Sequence, residues 1–178
     1  MVSFLLPGFI ANNLEIIMIK RFLVMLSAVV MLVSGAMFTV SAQSGPTPEQ
    51  VAAAAADTRQ ALFKMLVFNL GPIVGMARGA PFDAEIAERN ARRIAAMAPM
   101  ITEVLAQDTR GFDVETEALD LIWDNMDDIA VKAQALIDNA NAFADAAATG
   151  DQAATMGAFR AFGGSCGNCH DTYRVDND

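Results

Sequence analysis

The residues best suited to chemistry lie together near the end of the chain, in the segment Cys166-Gly-Asn-Cys169-His170. Cys-x-x-Cys-His is the attachment sequence of c-type haem. On a helix the two cysteines lie about one turn apart and face the same way, so both sulfur atoms can form thioethers with the vinyl groups of a porphyrin. His170 follows directly and can place its imidazole on the iron. The motif therefore predicts one covalently bound haem c, with His170 as an axial ligand.

Two other uses of a Cys-x-x-Cys pair stay open on the sequence alone. A redox-active pair normally stands at a helix start after a strand, whereas this pair falls late in a predicted helix. A zinc site made of Cys and His normally takes four ligands, and the whole chain has two Cys and one His. The haem interpretation is favoured because it uses all three residues, and the single His excludes ligation by two histidines.

The apolar residues of the chain are concentrated at its start. Hydrophobic residues make up 54% of the 178, although the net charge is -9. Lys20 and Arg21 precede an apolar run over residues 22–33, and small residues follow at Val40-Ser41-Ala42. This order is typical of a cleavable secretory signal peptide. The pattern therefore predicts a protein exported to the periplasm.

Cleavage after Ala42 would divide the chain into a leader, residues 1–42, and a mature domain, residues 43–178. We expect Met18 to be the true initiator, because no targeting signal places a long uncharged stretch before its basic residues. An uncleaved membrane anchor is the alternative, since residues 22–42 are just long enough to span a bilayer. The mature domain is acidic, which argues against nucleic-acid binding, and we expect no membrane association after processing.

Gly and Pro residues divide the mature domain into four predicted helices. Thr47-Pro48-Glu49-Gln50 is a capping box that begins the first helix. Gly71-Pro72 is predicted to end it, with residues 72–82 as a connecting loop. A second helix is predicted over residues 84–105, ended or kinked by Pro99.

The third predicted helix has the clearest pattern, an a/d heptad seam of apolar residues. Its members are Ile122, Met126, Ile129, Ala133, Leu136, Ala140, Phe143 and Ala147. Residues 107–114 form a predicted loop before this helix, and Thr149-Gly150 ends it. A fourth helix is predicted over residues 152–173, and Asp83 and Asp151 are the expected caps of the second and fourth helices. No segment alternates with period two, so the predicted fold is all-α, an antiparallel four-helix bundle.

Several separated segments of the mature domain match one known family. They are Thr58-Arg59-Gln60-Ala61-Leu62-Phe63, Gly79-Ala80-Pro81-Phe82-Asp83, Glu115-Thr116, Ile122-Trp123, Ala161-Phe162-Gly163 and the segment from Cys166 to Arg174. With these segments the chain resembles the cytochromes c′, the class II c-type cytochromes, over roughly residues 47–175. The resemblance implies an exported four-helix bundle in which Cys166 and Cys169 hold haem c.

The resemblance also implies roles for residues outside the haem motif. Arg59 and Gln60 would contact the haem propionates from the first helix, where a guanidinium suits a carboxylate. Thr116 and Glu117 match a stretch near the haem edge. Arg174 would flank the proximal pocket, the alternative being a surface arginine that interacts with the helix dipole.

Position 63 decides the coordination of the iron. In low-spin relatives the residue four after the arginine is a Met that binds the metal, but here it is Phe63, which has no donor atom. The resemblance therefore implies a five-coordinate, high-spin iron with Phe63 in the distal pocket. In the alternative, Phe63 fills the core and one of the Met residues of the mature domain binds the iron. These are Met65, Met76, Met97, Met100, Met126 and Met156.

Two functions follow from these alternatives. A five-coordinate iron in an apolar pocket implies binding of small gases such as NO and CO, together with one-electron redox chemistry. A Met-ligated, low-spin iron implies an electron-transfer cytochrome resembling cytochrome c556, with redox partner proteins steered by the acidic surface. No enzymatic role is predicted, because no distal acid–base group is evident. The family also implies a homodimer, for which the small residues of Ala52–Ala56 are the local hint.

Overall fold

The computed structural model describes Met18, Lys20, Arg21 and residues 45–176. The three isolated residues are helical, and the chain from residue 46 onward forms a compact unit of its own. The predicted apolar core of the leader and its cleavage site lie outside the described residues. The leader and its removal therefore stay predictions.

Residues 45–176 contain six helices. They are α1 (Pro48–Ala77), α2 (Ala84–Met97), α3 (Met100–Leu105), α4 (Leu121–Asp124), α5 (Met126–Ala148) and α6 (Gln152–Tyr173). The long helices α1, α2, α5 and α6 form the bundle, and α3 and α4 are short. This part of the chain has no strand beyond an isolated antiparallel bridge between Ala118 and Arg174. The all-α prediction is confirmed.

The antiparallel course of α5 and α6 follows from two cross-helix hydrogen bonds. Tyr173, at the end of α6, donates from its hydroxyl to Asp128 Oδ2, at the start of α5, over 2.7 Å. Asn139 Nδ2 donates to Ser165 Oγ at 2.9 Å nearer the middle of both helices. The bond to Asp128 also raises the pKa of Tyr173 to about 12, so this tie stays intact over the physiological pH range.

The three predicted helix caps are confirmed. Thr47 Oγ1 accepts from the Gln50 N–H at 3.3 Å, and Gln50 Oε1 accepts from the Thr47 N–H at 2.9 Å, which completes the capping box. Asp83 and Asp151 each accept a bond from the backbone N–H three residues on, at 2.9 and 3.1 Å. These side chains satisfy N–H groups that the first helical turn leaves unpaired.

The predicted end of the first helix is wrong, because α1 continues through Gly71-Pro72 to Ala77. Pro72 is exposed, so its ring lies on the solvent side. Beyond it, Ile73 is fully buried and Met76 is 7% exposed. Ending the helix at Pro72 would expose these two side chains, and their burial outweighs the hydrogen bond that a proline removes. The loop predicted over residues 72–82 is correspondingly shorter.

The third predicted helix is interrupted near its start. Asn125 leaves helical geometry, with φ -136° and ψ 37°, and separates α4 from α5. The heptad residues from Ile129 onward are buried along α5, whereas Met126 is only partly buried and Ile122 is buried on α4. The heptad therefore predicted the buried face correctly but not the break. The break at Pro99 between α2 and α3 is confirmed.

Two faces of α1 differ in their surroundings. Leu62 and Ile73 belong to the buried core, while Val67 is 64% and Phe68 68% exposed. Among the described helices, α1 is the one that is long and apolar enough to cross a bilayer. The core helix of a globular bundle meets the same criterion, and the buried side of α1 is such a helix. Its outer side is an apolar surface.

The centre of the core is an aromatic cluster between α5 and α6. Phe143 and Phe162 are fully buried, and their ring centroids lie 5.2 Å apart. Phe159 meets Phe143 edge to face at 6.3 Å. Such pairs contribute dispersion and ring electrostatics beyond simple burial.

We predict that Phe143→Ala destabilises the haem-loaded protein by about 3–5 kcal/mol, because it leaves a cavity in the aromatic cluster. The free energy of unfolding would be measured by chemical denaturation. Val131, also on α5, is 67% exposed, and Val131→Ala is the matched control, with an expected change within about 0.5 kcal/mol. Equal effects of the two substitutions would contradict the placement of the core.

Candidate haem site

The two cysteines of the motif lie on α6, which runs to Tyr173. Both are free thiols, partly buried and packed against the core. Burial raises the pKa of Cys166 and of Cys169, so both stay protonated near neutral pH. Their place late in a helix, rather than at its start, does not match a redox-active Cys-x-x-Cys pair. Their spacing puts both sulfur atoms on one side of the helix.

His170 follows Cys169 in the last turn of α6 and is partly buried. Burial lowers its pKa, and the positive charge of Arg174 lowers it further. The imidazole is therefore neutral near neutral pH, the form in which a ring nitrogen can bind a metal. No group of three or more His, Cys, Asp or Glu side chains in the described part of the chain could hold a metal ion. Any iron here must bring other ligands with it.

The isolated bridge brings the loop before α4 to the end of α6. Leu119 N donates to Tyr173 O at 3.0 Å, and Val175 N donates to Glu117 O at 2.8 Å. Arg174 Nε lies 4.0 Å from Glu117 Oε2, with both side chains largely exposed. Glu117 therefore lies beside Arg174, on the His170 side of the site. Its neighbour Thr116 turns the other way, towards α1.

Arg59 is buried on α1, with 2% exposure. Its Nη2 donates to Thr109 Oγ1 at 3.3 Å and to Thr116 Oγ1 at 3.4 Å, and its buried Nη1 has no partner. Burial lowers the pKa of the guanidinium, whose usual value is high enough that it stays charged. Gln60 Nε2 donates to Glu115 O at 2.8 Å. The loop thus holds Arg59 and Gln60 side by side and leaves one guanidinium nitrogen unpaired.

Sequence reasoning missed three residues of this region. Thr109 lies in the predicted loop, and no pattern marks it as a partner of Arg59. Trp123 belongs to a segment that matches the family, but the sequence gives it no role. Its ring centroid lies 5.4 Å from the guanidinium carbon of Arg59 and 5.9 Å from that of Arg110. An arginine in a polar loop carries no sequence signal of its own, so Arg110 could be found only from the structure.

Phe63 lies one helical turn after Arg59, on the same face of α1. It is partly buried and packs against the core. Met65 is 49% exposed, on a different side of the helix. The nearest Met in the sequence therefore faces solvent.

The other Met residues differ in their distance from this region. Met100 is 44% exposed. With a rise of ~1.5 Å per residue, Met76 lies about 20 Å along α1 from Phe63, and Met156 is similarly far along α6 from His170. Met97 and Met126 are the two that remain, both partly buried against the core.

Helices α1 and α6 face each other across the bundle without packing closely. The pairs α1–α2, α2–α5 and α5–α6 are in close backbone contact along the described chain, but α1–α6 is not. Arg59 and Phe63 project from one of these two helices, and the haem motif lies on the other. A flat group between them would meet two thiols and an imidazole on one side and an unpaired guanidinium nitrogen on the other. This donor set fits a haem with carboxylate side chains.

A groove of about 420 Å³ lies elsewhere, lined by residues of α5 and α6. Lys132, Arg160 and Asn168 are among its lining residues. Lys132 is paired with Asp128 at 3.6 Å. The groove includes neither cysteine nor the histidine of the motif, so it is separate from the candidate haem site.

A bundle of four long helices that ends in Cys-x-x-Cys-His defines the class of protein as a helical c-type cytochrome. The family described as Cytochrome C′ matches residues 54–174. The chain belongs to the cytochrome c′ family. The cofactor of this family is covalently attached haem c.

Curated relatives carry more than one name. The chain is 38% identical over 119 residues to cytochrome c-554 of Cereibacter sphaeroides, covering 65% of this chain and 77% of that one. It is 34% identical to cytochrome c-556 of Agrobacterium tumefaciens, covering 68% and 95%. It is 33% identical to cytochrome c′ of Allochromatium vinosum, covering 67% and 79%.

Solved structures of the same fold are also similar. Cytochrome c prime from Shewanella frigidimarina has a TM-score of 0.63 and 36% identity, covering 70% of this chain and 97% of that one. A ferrous variant from Alcaligenes xylosoxidans with bound NO has a TM-score of 0.61 and 26% identity, covering 75% and 100%. A cytochrome c′ with ligand-controlled dimer dissociation has a TM-score of 0.62 and 31% identity, covering 75% and 100%.

We predict that Cys166→Ser with Cys169→Ser abolishes covalent haem attachment, since a hydroxyl does not replace a thiol in a thioether. Mass spectrometry and haem staining of the denatured protein would measure the attached haem. Gly167→Ala, inside the motif, is the control, because a Cβ there meets nothing within 4 Å. Haem that stays attached to the double variant would contradict the assignment.

Proposed function

We propose that this protein carries a five-coordinate, high-spin haem and binds small uncharged gases such as NO and CO. The observation that supports this most directly is the pair formed by Phe63 and Met65. Phe63 is partly buried against the core on the Arg59 side of α1, while Met65 faces solvent. A phenyl ring has no donor atom for iron, so the sixth position stays open to an external ligand.

The proposed roles of the chain follow from these positions. Cys166 and Cys169 anchor the haem, and His170 is the axial ligand. When bound, the haem would supply an iron that His170 holds and that can bind a small ligand. Arg59 binds a propionate through its unpaired nitrogen, and Gln60 lies beside it at the same edge.

Phe63 would select the ligand by its size and polarity. An apolar ring over the iron keeps water out and leaves room only for a small molecule. It offers no hydrogen-bond donor, which a pocket that stabilises bound dioxygen requires. NO and CO need no such donor. The complex of the Alcaligenes xylosoxidans relative with NO supports this choice of ligand.

The proximal side would be set by Arg174 and Glu117. Arg174 lies one turn after His170, its N–H donates to His170 O at 3.1 Å, and its charge helps to keep the imidazole unprotonated. Glu117 lies near Arg174 and moderates that charge. Thr116, by contrast, belongs to the propionate side through Arg59.

A low-spin electron-transfer cytochrome is the second candidate function. Relatives named cytochrome c-554 and c-556 are as similar to this chain as those named cytochrome c′. Asn90 on α2 pairs with Asn69 on α1, so antiparallel register places Met97 about level with the Phe63 turn. Met97 is partly buried and is the Met best placed to bind iron if Phe63 turned aside.

Export and redox partners of the protein follow from its predicted leader and its charge. The predicted leader would export the chain to the periplasm, where cytochrome haem is attached. One-electron exchange with redox partner proteins would accompany either coordination, and the acidic surface favours basic partners. We assign no enzymatic reaction, because the chain has one His and that residue is the proposed iron ligand.

The outer side of α1 is the proposed homodimer interface. The sequence-based hint at Ala52–Ala56 is wrong in part, because Ala52 and Ala56 are 1% and 3% exposed and pack inside their own chain. The exposed apolar residues lie further along, with Val67 at 64% and Phe68 at 68% exposure. An apolar patch on a helix face is typical of a protein interface. The related cytochrome c′ with ligand-controlled dimer dissociation supports a dimer.

We predict that the ferrous protein has a high-spin spectrum that changes on addition of CO. Phe63→Met would convert it towards a low-spin spectrum, since a thioether sulfur would then reach the iron. Phe68→Met, on the exposed side of the same helix, is the control and should leave the spectrum unchanged. A wild-type low-spin spectrum insensitive to CO would overturn the proposal, and Met97→Leu would then test the second candidate.

We predict that Phe68→Glu shifts the processed protein from dimer to monomer, because a carboxylate would be buried in an apolar interface. Sedimentation equilibrium at several concentrations measures the association. Val131→Glu places the same charge on the exposed side of α5 and should leave the dimer intact. Wild-type protein that sediments as a monomer would refute the interface.

A further inference from the structure

We propose that Trp123 is a positioning residue, which holds the Arg59 guanidinium by its ring face and keeps the charge of Arg59 available for a haem propionate. This inference rests on the proposed pairing of Arg59 with a propionate. The guanidinium of Arg59 is a buried cation that needs a stabilising contact both without and with the propionate. The residues involved come from α1, α4 and the loop between α3 and α4.

Arg59 is a buried cation without a carboxylate partner among the described residues. It is 2% exposed, its two hydrogen bonds go to neutral threonine hydroxyls, and its Nη1 has no partner. Buried charges are normally paired, because an unpaired charge loses its hydration without compensation. Some other contact must therefore stabilise the guanidinium.

The ring of Trp123 provides that contact. The guanidinium carbon of Arg59 lies 5.4 Å from the ring centroid, within the range of a cation–π interaction, which is strongest for Trp and for desolvated cations. The indole is fixed in turn, because Trp123 Nε1 donates to Leu105 O at 3.0 Å. The ring therefore presents a fixed face to Arg59.

Arg110 binds the two carboxylates near the Trp123 ring, those of Asp108 and Asp124, so neither is paired with Arg59. The guanidinium of Arg110 has its carbon 5.9 Å from the same ring. It binds Asp108 at 2.7 Å and Asp124 at 2.6 Å, and these hydrogen bonds raise its own pKa. Both carboxylates are thus held by Arg110. Two guanidiniums contact one indole ring, and in the described part of the chain that of Arg110 is paired with carboxylates while that of Arg59 is not.

This arrangement has a measurable electrostatic consequence. A positive charge held at the haem edge favours the reduced iron, because reduction adds an electron nearby and the attraction is weakly screened at a buried position. The position of the Arg59 charge should therefore set part of the midpoint potential. A carboxylate paired with Arg59 would cancel this effect.

The test is a double-mutant cycle on the midpoint potential of the haem-loaded protein. Arg59→Met should lower the potential, and Trp123→Leu should lower it by a smaller amount in the wild-type background. In the Arg59→Met background, Trp123→Leu should have no further effect, because the charge that it positions is gone. Trp123→Phe, which keeps an aromatic face, should stay close to wild type.

Additive effects of the two substitutions would overturn the role of Trp123, since a purely structural residue would shift both backgrounds alike. An unchanged potential in Arg59→Met would overturn the propionate pairing itself. Neither outcome depends on CO binding, so failure of the gas-binding proposal is distinguishable. If Trp123→Leu does not fold, Trp123→Met serves instead, because it keeps a long apolar side chain without an aromatic face. It should lower the potential only where Arg59 is present, and an equal shift in the Arg59→Met background would overturn the inference.

Discussion

The separation of α1 from α6 is the constraint on which the candidate haem site depends. Helices that pack directly approach to 8–10 Å between axes, which leaves no room for a porphyrin between them. The bundle therefore closes on three sides, through α1–α2, α2–α5 and α5–α6, and stays open on the fourth. The stability that the open side cannot supply comes from buried contacts elsewhere, above all the aromatic cluster of Phe143 and Phe162.

Charge is distributed unevenly with respect to this opening. The chain as a whole is acidic, with a net charge of -9, and Arg110 and Arg174 lie beside acidic side chains of the protein. Among the residues that the structure describes, the guanidinium of Arg59 contacts hydroxyl groups and an aromatic ring but forms no ion pair. The site therefore favours a ligand that carries its own carboxylate. A purely apolar molecule would bind poorly in the site, because the buried positive charge of Arg59 would remain without a counter-charge.

Local signals in the sequence predicted the helices well. The caps at Thr47, Asp83 and Asp151 depend on neighbours three residues away, and the heptad of α5 depends on one buried face, so both could be recognised from spacing. The passage of α1 through Pro72 could not, because it depends on how deeply Ile73 and Met76 are buried. Long-range packing outweighed a local signal there.

The residues of the candidate site also divide into those with a local sequence signal and those placed by long-range packing. The spacing of Cys166, Cys169 and His170 is local and was recognised directly, whereas the neighbours of Arg59 come from a loop about 50 residues away in sequence. Loop conformation follows no periodicity, so Thr109 and Arg110 had no signal. Thr116 and Glu117 are adjacent in sequence but contact different sides of the site, since Thr116 accepts a bond from Arg59 and Glu117 lies beside Arg174.

The bridge between Ala118 and Arg174 ties the segment that follows α6 to the loop before α4. Val175 N holds Glu117 O, and the loop so held carries the hydroxyl groups that contact Arg59. A chain cut after Tyr173 would keep every residue of the haem motif and the bond from Leu119 N to Tyr173 O, yet it would lose the bond from Val175 N and hold that loop less firmly. Val175 thus supports the loop that carries Thr109 and Thr116, the hydroxyl partners of Arg59 on the other side of the candidate site.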